Sequence, residues 1–212
     1  MTRILAVADE VDEAIYGDKL DRLRPDLVVS CGDLPFDYLE YIVTRTNVPL
    51  IYVPGNHDPG LASAETTWSP LGAEAARPGP QGCDSADGRV LDLPGLRIGG
   101  LGGSIRYKPG PNQYTQAQMR RRALALEFRV RLKRDRRGRK LDVLLTHAPP
   151  FGGGPPSDPA HVGFAAFNRI YRLLNPAVHV HGHVHQYGRP RPEWRIGNTR
   201  IINAVPSRLI EL

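Results

Sequence analysis

The feature that most constrains this chain recurs five times: a short apolar run that stops at a polar residue able to bind a metal. Ile4–Ala8 runs into Asp9, Leu27–Ser30 into Cys31-Gly32-Asp33, and Leu50–Val53 into Pro54-Gly55-Asn56-His57-Asp58. Leu141–Leu145 runs into Thr146-His147-Ala148-Pro149-Pro150, and Ala177–Val180 into His181-Gly182-His183-Val184-His185. Apolar runs this short, bounded by Gly, Pro or Asp, read as buried strands. The intervening segments predict helices over about 13–24 and 36–47, so the chain opens β-α-β-α-β with parallel strands. Open α/β sheets bind ligands beyond the carboxyl ends of their strands. Five strand ends would therefore deliver Asp9, Asp33, Asn56, His57, His147, His183 and His185 to one edge.

The rest is less regular. Residues 59–88, rich in Pro, Gly, Ala and Ser, read as a long connection. The runs 89–93 and 96–101 flank Pro94-Gly95 and predict a hairpin. Thr115 and Gln118 have capping-box spacing, which predicts a helix over about 116–134. Competing with it, Leu124, Leu126, Phe128, Val130 and Leu132 alternate at strand period. Runs at 188–194, 198–203 and 207–212 read as β-structure closing the sheet system. No repeat or linker divides the chain, so residues 1–212 are taken as one domain.

Composition narrows the class. Hydrophobic residues at 41% and charged residues at 24% exclude fibrous and largely disordered chains. Two cysteines, Cys31 and Cys83, exclude a disulfide framework and a Cys-based zinc cluster. Cys31 reads as a small buried residue beside Asp33. The first apolar run is too short for a signal peptide or a membrane span, so the expectation is a soluble, cytoplasmic protein without a membrane partner. The net charge is +6, but residues 120–140 alone carry +9 and the remainder −3. The basicity is local. It reads as a solvated helix face and basic loop, with a patch steering an anionic substrate or nucleic acid as the alternative.

Two Asp, one Asn and three His at one edge suit a divalent transition metal such as Zn, Mn, Fe, Ni or Co. A carboxylate such as Asp33 is able to bridge two ions, and ions roughly 3.5–4 Å apart activate a bridging water and clamp a phosphoryl oxygen. A nearby histidine free of metal could then protonate the leaving oxygen.

Asp9, Gly32-Asp33, Gly55-Asn56-His57-Asp58, Thr146-His147 and Gly182-His183-Val184-His185 together resemble the five ordered motifs of calcineurin-like metallophosphoesterases. The resemblance spans residues 9 to 185. Residues 101–114, with Asp158-Pro159-Ala160-His161, also resemble a bacterial subgroup of small members. The resemblance implies an α/β fold of two mixed β-sheets sandwiched between helices, four layers in all. It also implies that Asp33 bridges two metals, that Asp9 and His185 serve one, and that Asn56, His147 and His183 serve the other. His57 would be the unligated proton donor, with Asp58 orienting its imidazole.

The first motif departs from the family's Asp-x-His, because Val11 stands where the imidazole belongs. The ion served by Asp9 and His185 is therefore expected to be the weaker, with water, Glu10 or Asp12 filling the gap. Arg106, Tyr107 and His161 are substrate-binding candidates, whereas His179 and His181 are expected to be structural. The implied activity is metal-dependent hydrolysis of a phosphodiester or phosphomonoester by a metal-bound hydroxide. Asp33 is followed by Leu34-Pro35, and His57 by Asp58. The chain thus lacks the Asp-Arg-Gly and Asn-His-Glu endings of Ser/Thr protein phosphatases, which favours a small-molecule or nucleotide substrate over a phosphoprotein. The alternatives are a nuclease using the basic 120–140 segment and a non-catalytic scaffold of the same fold.

Overall fold

The computed structural model describes residues 1–59, 79–133, 140–152, 159–185 and 193–212. The opening apolar runs form β1 (Arg3–Val7), β2 (Leu27–Ser30) and β3 (Leu50–Tyr52), all parallel. Their ends align, Val7 opposite Ser30 and Ser30 opposite Tyr52, so the loops carrying Asp9, Asp33 and Asn56 leave from one edge. The short β4 (Cys83–Ser85) adds to β3, and β13 (Ser207–Glu211) pairs antiparallel with β1 to complete a five-stranded sheet.

A six-stranded sheet faces the first. It comprises β5 (Val90–Leu93), β6 (Leu96–Leu101), β9 (Val143–Thr146), β10 (Val178–His181), β11 (Trp194–Ile196) and β12 (Thr199–Asn203), in the order β11-β12-β10-β9-β6-β5. The hairpin predicted around Pro94-Gly95 is β5–β6, with Leu93 opposite Leu96. The two-residue strands β7 (Ser104–Ile105) and β8 (Gln113–Tyr114) form a separate ladder beside the site loops.

Strand alternation divides the core into three sheets of side chains. Ile4, Ala6, Val29 and Ile51 pack between the two β-sheets against Ile98, Val143, Leu145, Val178 and Val180. Leu5, Val7, Val28 and Leu50 point the other way, onto α2 (Phe36–Thr46) through Tyr38, Leu39 and Ile42. On the far side, Leu144 and Ile201 meet α3 (Gln116–Leu132) and α4 (Ala166–Leu174) through Leu126, Val130, Phe167 and Ile170. The result is helix, sheet, sheet, helix. Among the described residues no helix is long and apolar enough to cross a membrane.

Three local expectations are refined. The segment 13–24 is not one helix but a 3-10 turn at Glu13–Tyr16 followed by the short α1 (Lys19–Leu23). Gly17 ends the turn by donating its N–H to the Ala14 carbonyl, and a glycine there weakens any continuous helix. Residues 116–132 are helical, with both bonds of the Thr115–Gln118 capping box made. The alternating apolar residues are shared between two helix faces: Leu126 and Val130 are buried, while Leu124, Phe128 and Leu132 are exposed. Strand β4 lies inside the segment read as connection, and of residues 188–194 only the last two fall within the described chain.

Ile98 is fully buried between the sheets, whereas Leu124 is 39% exposed. Ile98→Ala is expected to cost about 2–5 kcal/mol, and Leu124→Ala less than about 0.5 kcal/mol. Urea unfolding midpoints at constant m-value measure both.

Candidate metal and phosphoester site

The two sheets meet at their carboxyl edges through backbone bonds. The Gly103 N–H donates to the Pro54 carbonyl, and the His183 N–H to Asp9 Oδ2 (2.8 Å). At this seam the strands break sharply. Asp9, Asp33 and His183 all have left-handed backbones (φ 61°, 56° and 66°), a region sparsely used by residues with side chains. Two glycines make room. A Cβ on Gly55 would overlap Asp33 Oδ1, and one on Gly182 would overlap Asp9 Oδ2.

Donor atoms of Asp9, Asp33, His147 and His183 lie within 4.8 Å of one another. The centre of the group is Nε2 of the fully buried His147. It lies 2.9 Å from Asn56 Oδ1, 3.1 Å from His183 Nδ1 and 3.3 Å from Asp33 Oδ2. The far nitrogens fix the tautomers, because a carbonyl only accepts. His147 Nδ1–H donates to the Cys31 carbonyl (2.8 Å) and His183 Nε2–H to the Ala160 carbonyl (3.0 Å). His183 Nδ1 therefore presents a lone pair, as do Asn56 Oδ1 and the Asp33 carboxylate. Three acceptors converge on one nitrogen that carries at most a single hydrogen. One proton cannot satisfy them all; a divalent cation with nitrogen and oxygen ligands does, so these residues fit a metal.

Electrostatics point the same way. Burial raises the Asp9 carboxyl above its ordinary value, opposed by His147, the His183 N–H and His185, and reinforced by Asp33. Burial also pushes Asp33 up, but the bond to His147, that ring's charge and the His57 N–H prevail and hold it low. His147 is driven down by burial and up by Asp33 and Asp9, and ends at about 9. His183, buried and beside that charged ring, falls to about 3. Without a metal, a protonated imidazole thus stands where positive charge is needed.

The other predicted residues are placed as follows. His185 is outside the four-residue group, its Nδ1 2.6 Å from Glu10 Oε1. The exposed His57 has its backbone N–H on Asp33 Oδ1 (2.8 Å) and lines an open cleft of about 540 Å³ with Asp33, Leu34, Pro35, Phe36 and Asp58. Asp58 lines the same cleft as His57. Its Oδ2 accepts the backbone N–H groups of Gly55 (2.8 Å) and Asp33 (3.0 Å), tying two loops together. Tyr107 reaches the site, its hydroxyl accepting from Asn56 Nδ2 at 3.3 Å and so turning Oδ1 toward His147. The Arg106 guanidinium instead bonds the Gln113 carbonyl and Gln118 Oε1. The His161 ring packs on that of His183, 4.6 Å between centroids. His179 is structural, bridging Thr146 Oγ1 and the Tyr171 hydroxyl at 2.6 Å each, and His181 packs edge-on to Trp194. Asn112, unmarked in the sequence, donates to the carbonyls of Gly55 and Asp58 and holds the third-motif loop.

The profile of the calcineurin-like phosphoesterases matches residues 4–187, a span containing every one of these site residues. The chain belongs to the calcineurin-like phosphoesterase family. One solved structure aligns with 96% of this chain and 90% of its own, at 21% identity and a TM-score of 0.65. The crystal structure of TT1561 of Thermus thermophilus covers 96% and 88% at 17% identity, with a TM-score of 0.58. Both likenesses are of fold. No curated protein matches the sequence.

The raised His147 gives a pH dependence with a definite sign. A histidine whose folded pKa lies above its unfolded value of about 6.5 stabilises the fold fully below that value. The stabilisation is lost as pH rises through about 9. The melting temperature of the chelator-treated protein is therefore expected to fall between those limits, and His147→Gln to flatten the slope. Added Zn or Mn, replacing the proton, should remove most of the fall; thermal scans across pH with and without metal measure this.

Proposed function

We propose that this phosphoesterase hydrolyses a small phosphodiester or phosphomonoester, a nucleotide or other small molecule, with two divalent transition-metal ions (Mn, Fe, Zn, Ni or Co). The observation that carries the reading is the convergence of Asn56 Oδ1, His183 Nδ1 and Asp33 Oδ2 on His147 Nε2. Asn56, His147, His183 and Asp33 would hold one ion; Asp9, Asp33 and His185 would hold the other. Bound there, such ions supply positive charge to a phosphoryl oxygen and lower the pKa of water.

The chain's own residues then divide the remaining work. Tyr107 and the His161 ring hold Asn56 and His183 in place. The left-handed turns at Asp9 and Asp33 aim their carboxylates at the seam between the sheets. His57 is fixed by its backbone to Asp33 while its imidazole faces the cleft, the placement a proton donor to a leaving oxygen requires. Leu34, Pro35 and Phe36 give that cleft an apolar wall against which a leaving group can rest. The nuclease alternative loses part of its basic track: Arg122 is bound to Asp87 and stacked on Tyr114, and Arg131 to Glu127.

Purified protein should hydrolyse bis-p-nitrophenyl phosphate when Mn is added, and Asp33→Asn should abolish the activity. His57→Ala should lower turnover by roughly 10²–10⁴-fold with metal content unchanged, and by less for a nitrophenolate than for an alkoxide leaving group. Metal bound without turnover of any mono- or diester would favour the scaffold reading. Equal losses for good and poor leaving groups would remove His57 as the donor.

A further inference from the structure

Helix α3 is apolar on two faces, and only one of them is covered. Met119, Ala123, Leu126 and Val130 pack into the core, whereas Leu124, Phe128 and Leu132 are 39%, 62% and 69% exposed. Spaced four residues apart, these three stack as one ridge about 12 Å long. The other large apolar side chains that reach solvent, Met1, Tyr16, Tyr107 and Phe151, stand singly on separate segments. Isolated residues of that kind are ordinary, but a contiguous ridge marks a surface meant to be covered.

The surface around the ridge has both relief and charge. The neighbouring helical row, Ala117, Arg121, Ala125 and Arg129, is exposed throughout, so a groove floored by alanine runs beside the ridge. Toward the start of α3, a hollow of about 410 Å³ opens between α3 and α4, lined by four alanines with Gln116, Arg120 and Arg169. Arg122 is paired with Asp87, and Arg131 and Arg169 with Glu127. Among the described residues, no acid pairs with Arg120, Arg121 or Arg129. Glu127, the one acid in α3, is buried. The exposed face of the helix is therefore apolar and positive, with no negative charge of its own.

We propose that this face docks an acidic amphipathic helix of a partner protein, independently of any metal at the strand ends. A ridge beside a groove is the relief into which a second helix packs, and the hollow takes one of its apolar side chains. Carboxylates flanking the partner's apolar stripe meet Arg120, Arg121 and Arg129. Other occupants fit less well. A second copy presenting the same face would set these arginines against their own kind, with no carboxylate to separate them. A lipid surface has no relief to match the groove and the hollow. A nucleic-acid backbone would use the arginines but hold phosphates against Leu124, Phe128 and Leu132.

The experiment uses the whole chain and a fluorescent helical peptide of about five turns, with leucines along one stripe and glutamates on both flanks. A second peptide carries lysine for each glutamate, and a third scrambles the order of the first. Anisotropy should show binding of the acidic peptide alone, weakening as salt is added. Phe128→Ser and Leu132→Ser should each weaken it by at least about tenfold. Both positions are exposed, so an unchanged melting temperature separates lost docking from lost folding. Arg121→Glu combined with Arg129→Glu should lose the acidic peptide and gain the lysine one. Equal binding of the ordered and scrambled peptides, or none at about 1 mM, overturns the proposal. So does preferential binding of phosphatidylglycerol vesicles or of a DNA duplex that Phe128→Ser abolishes. A native dimer in sedimentation that Phe128→Ser makes monomeric likewise gives the face to a second copy and overturns it.

Discussion

Everything at this site follows from placing more lone pairs than protons at the seam between two sheets. Asp9, Asp33, Asn56 and His183 turn acceptors toward one point, and the His147 ring brings a hydrogen to it. Such a group is unstable by itself, since buried carboxylates without compensating charge are costly. The fold holds it because parallel strands of both sheets end at one edge, and the inter-sheet core from Ile4 to Val180 leaves those ends no freedom. His147 answers the charge by keeping its proton to about pH 9. The same imbalance makes the group one that could hold a cation.

The backbone carries a second cost. Left-handed Asp9, Asp33 and His183 each forfeit on the order of 1–3 kcal/mol relative to relaxed conformations. No side-chain contact requires three such residues in so small a region unless their direction matters. Asp58 and Asn112 hold the strained second- and third-motif loops through bonds to their backbones. Stability invested in these braces is what allows the coordinating atoms to be fixed before any ligand arrives.

Much of this was legible in the sequence because doubly buried parallel strands are nearly continuous apolar runs. Their ends, marked by Asp, Asn and His, were visible without any alignment. Strand β4 was not, because Cys83–Ser85 is a partly exposed edge with no apolar pattern. The capping box at Thr115 outweighed the strand-like alternation in α3, since a helix wide enough to bury Leu126 and Val130 can also leave Phe128 in solvent. The bonds that Asp58 and Arg106 make to the backbone were not legible for a common reason. Carboxylates and guanidinium groups satisfy backbone N–H groups and carbonyls as readily as they orient catalytic rings, and sequence does not distinguish the two uses. Nor could spacing reveal the pairing of Glu10 with His185, which exists only once the two sheets are assembled.

The two halves of the proposed centre are built on unequal foundations. His147 and His183 are buried, and their outer nitrogens rest on backbone carbonyls, which move only if the strands move. His185 and Glu10 are about one-third and one-half exposed, and each can leave the other by a side-chain rotation. A bond between two such groups is weakened by solvent and by the rotamer freedom it must overcome. Val11, at the position where the family's first motif carries an imidazole, packs instead against the helix-side core. In the proposed two-ion centre the buried half would be the one to retain its ion and the exposed half the one to exchange it, because only the first is held by groups that cannot turn away without moving the strands.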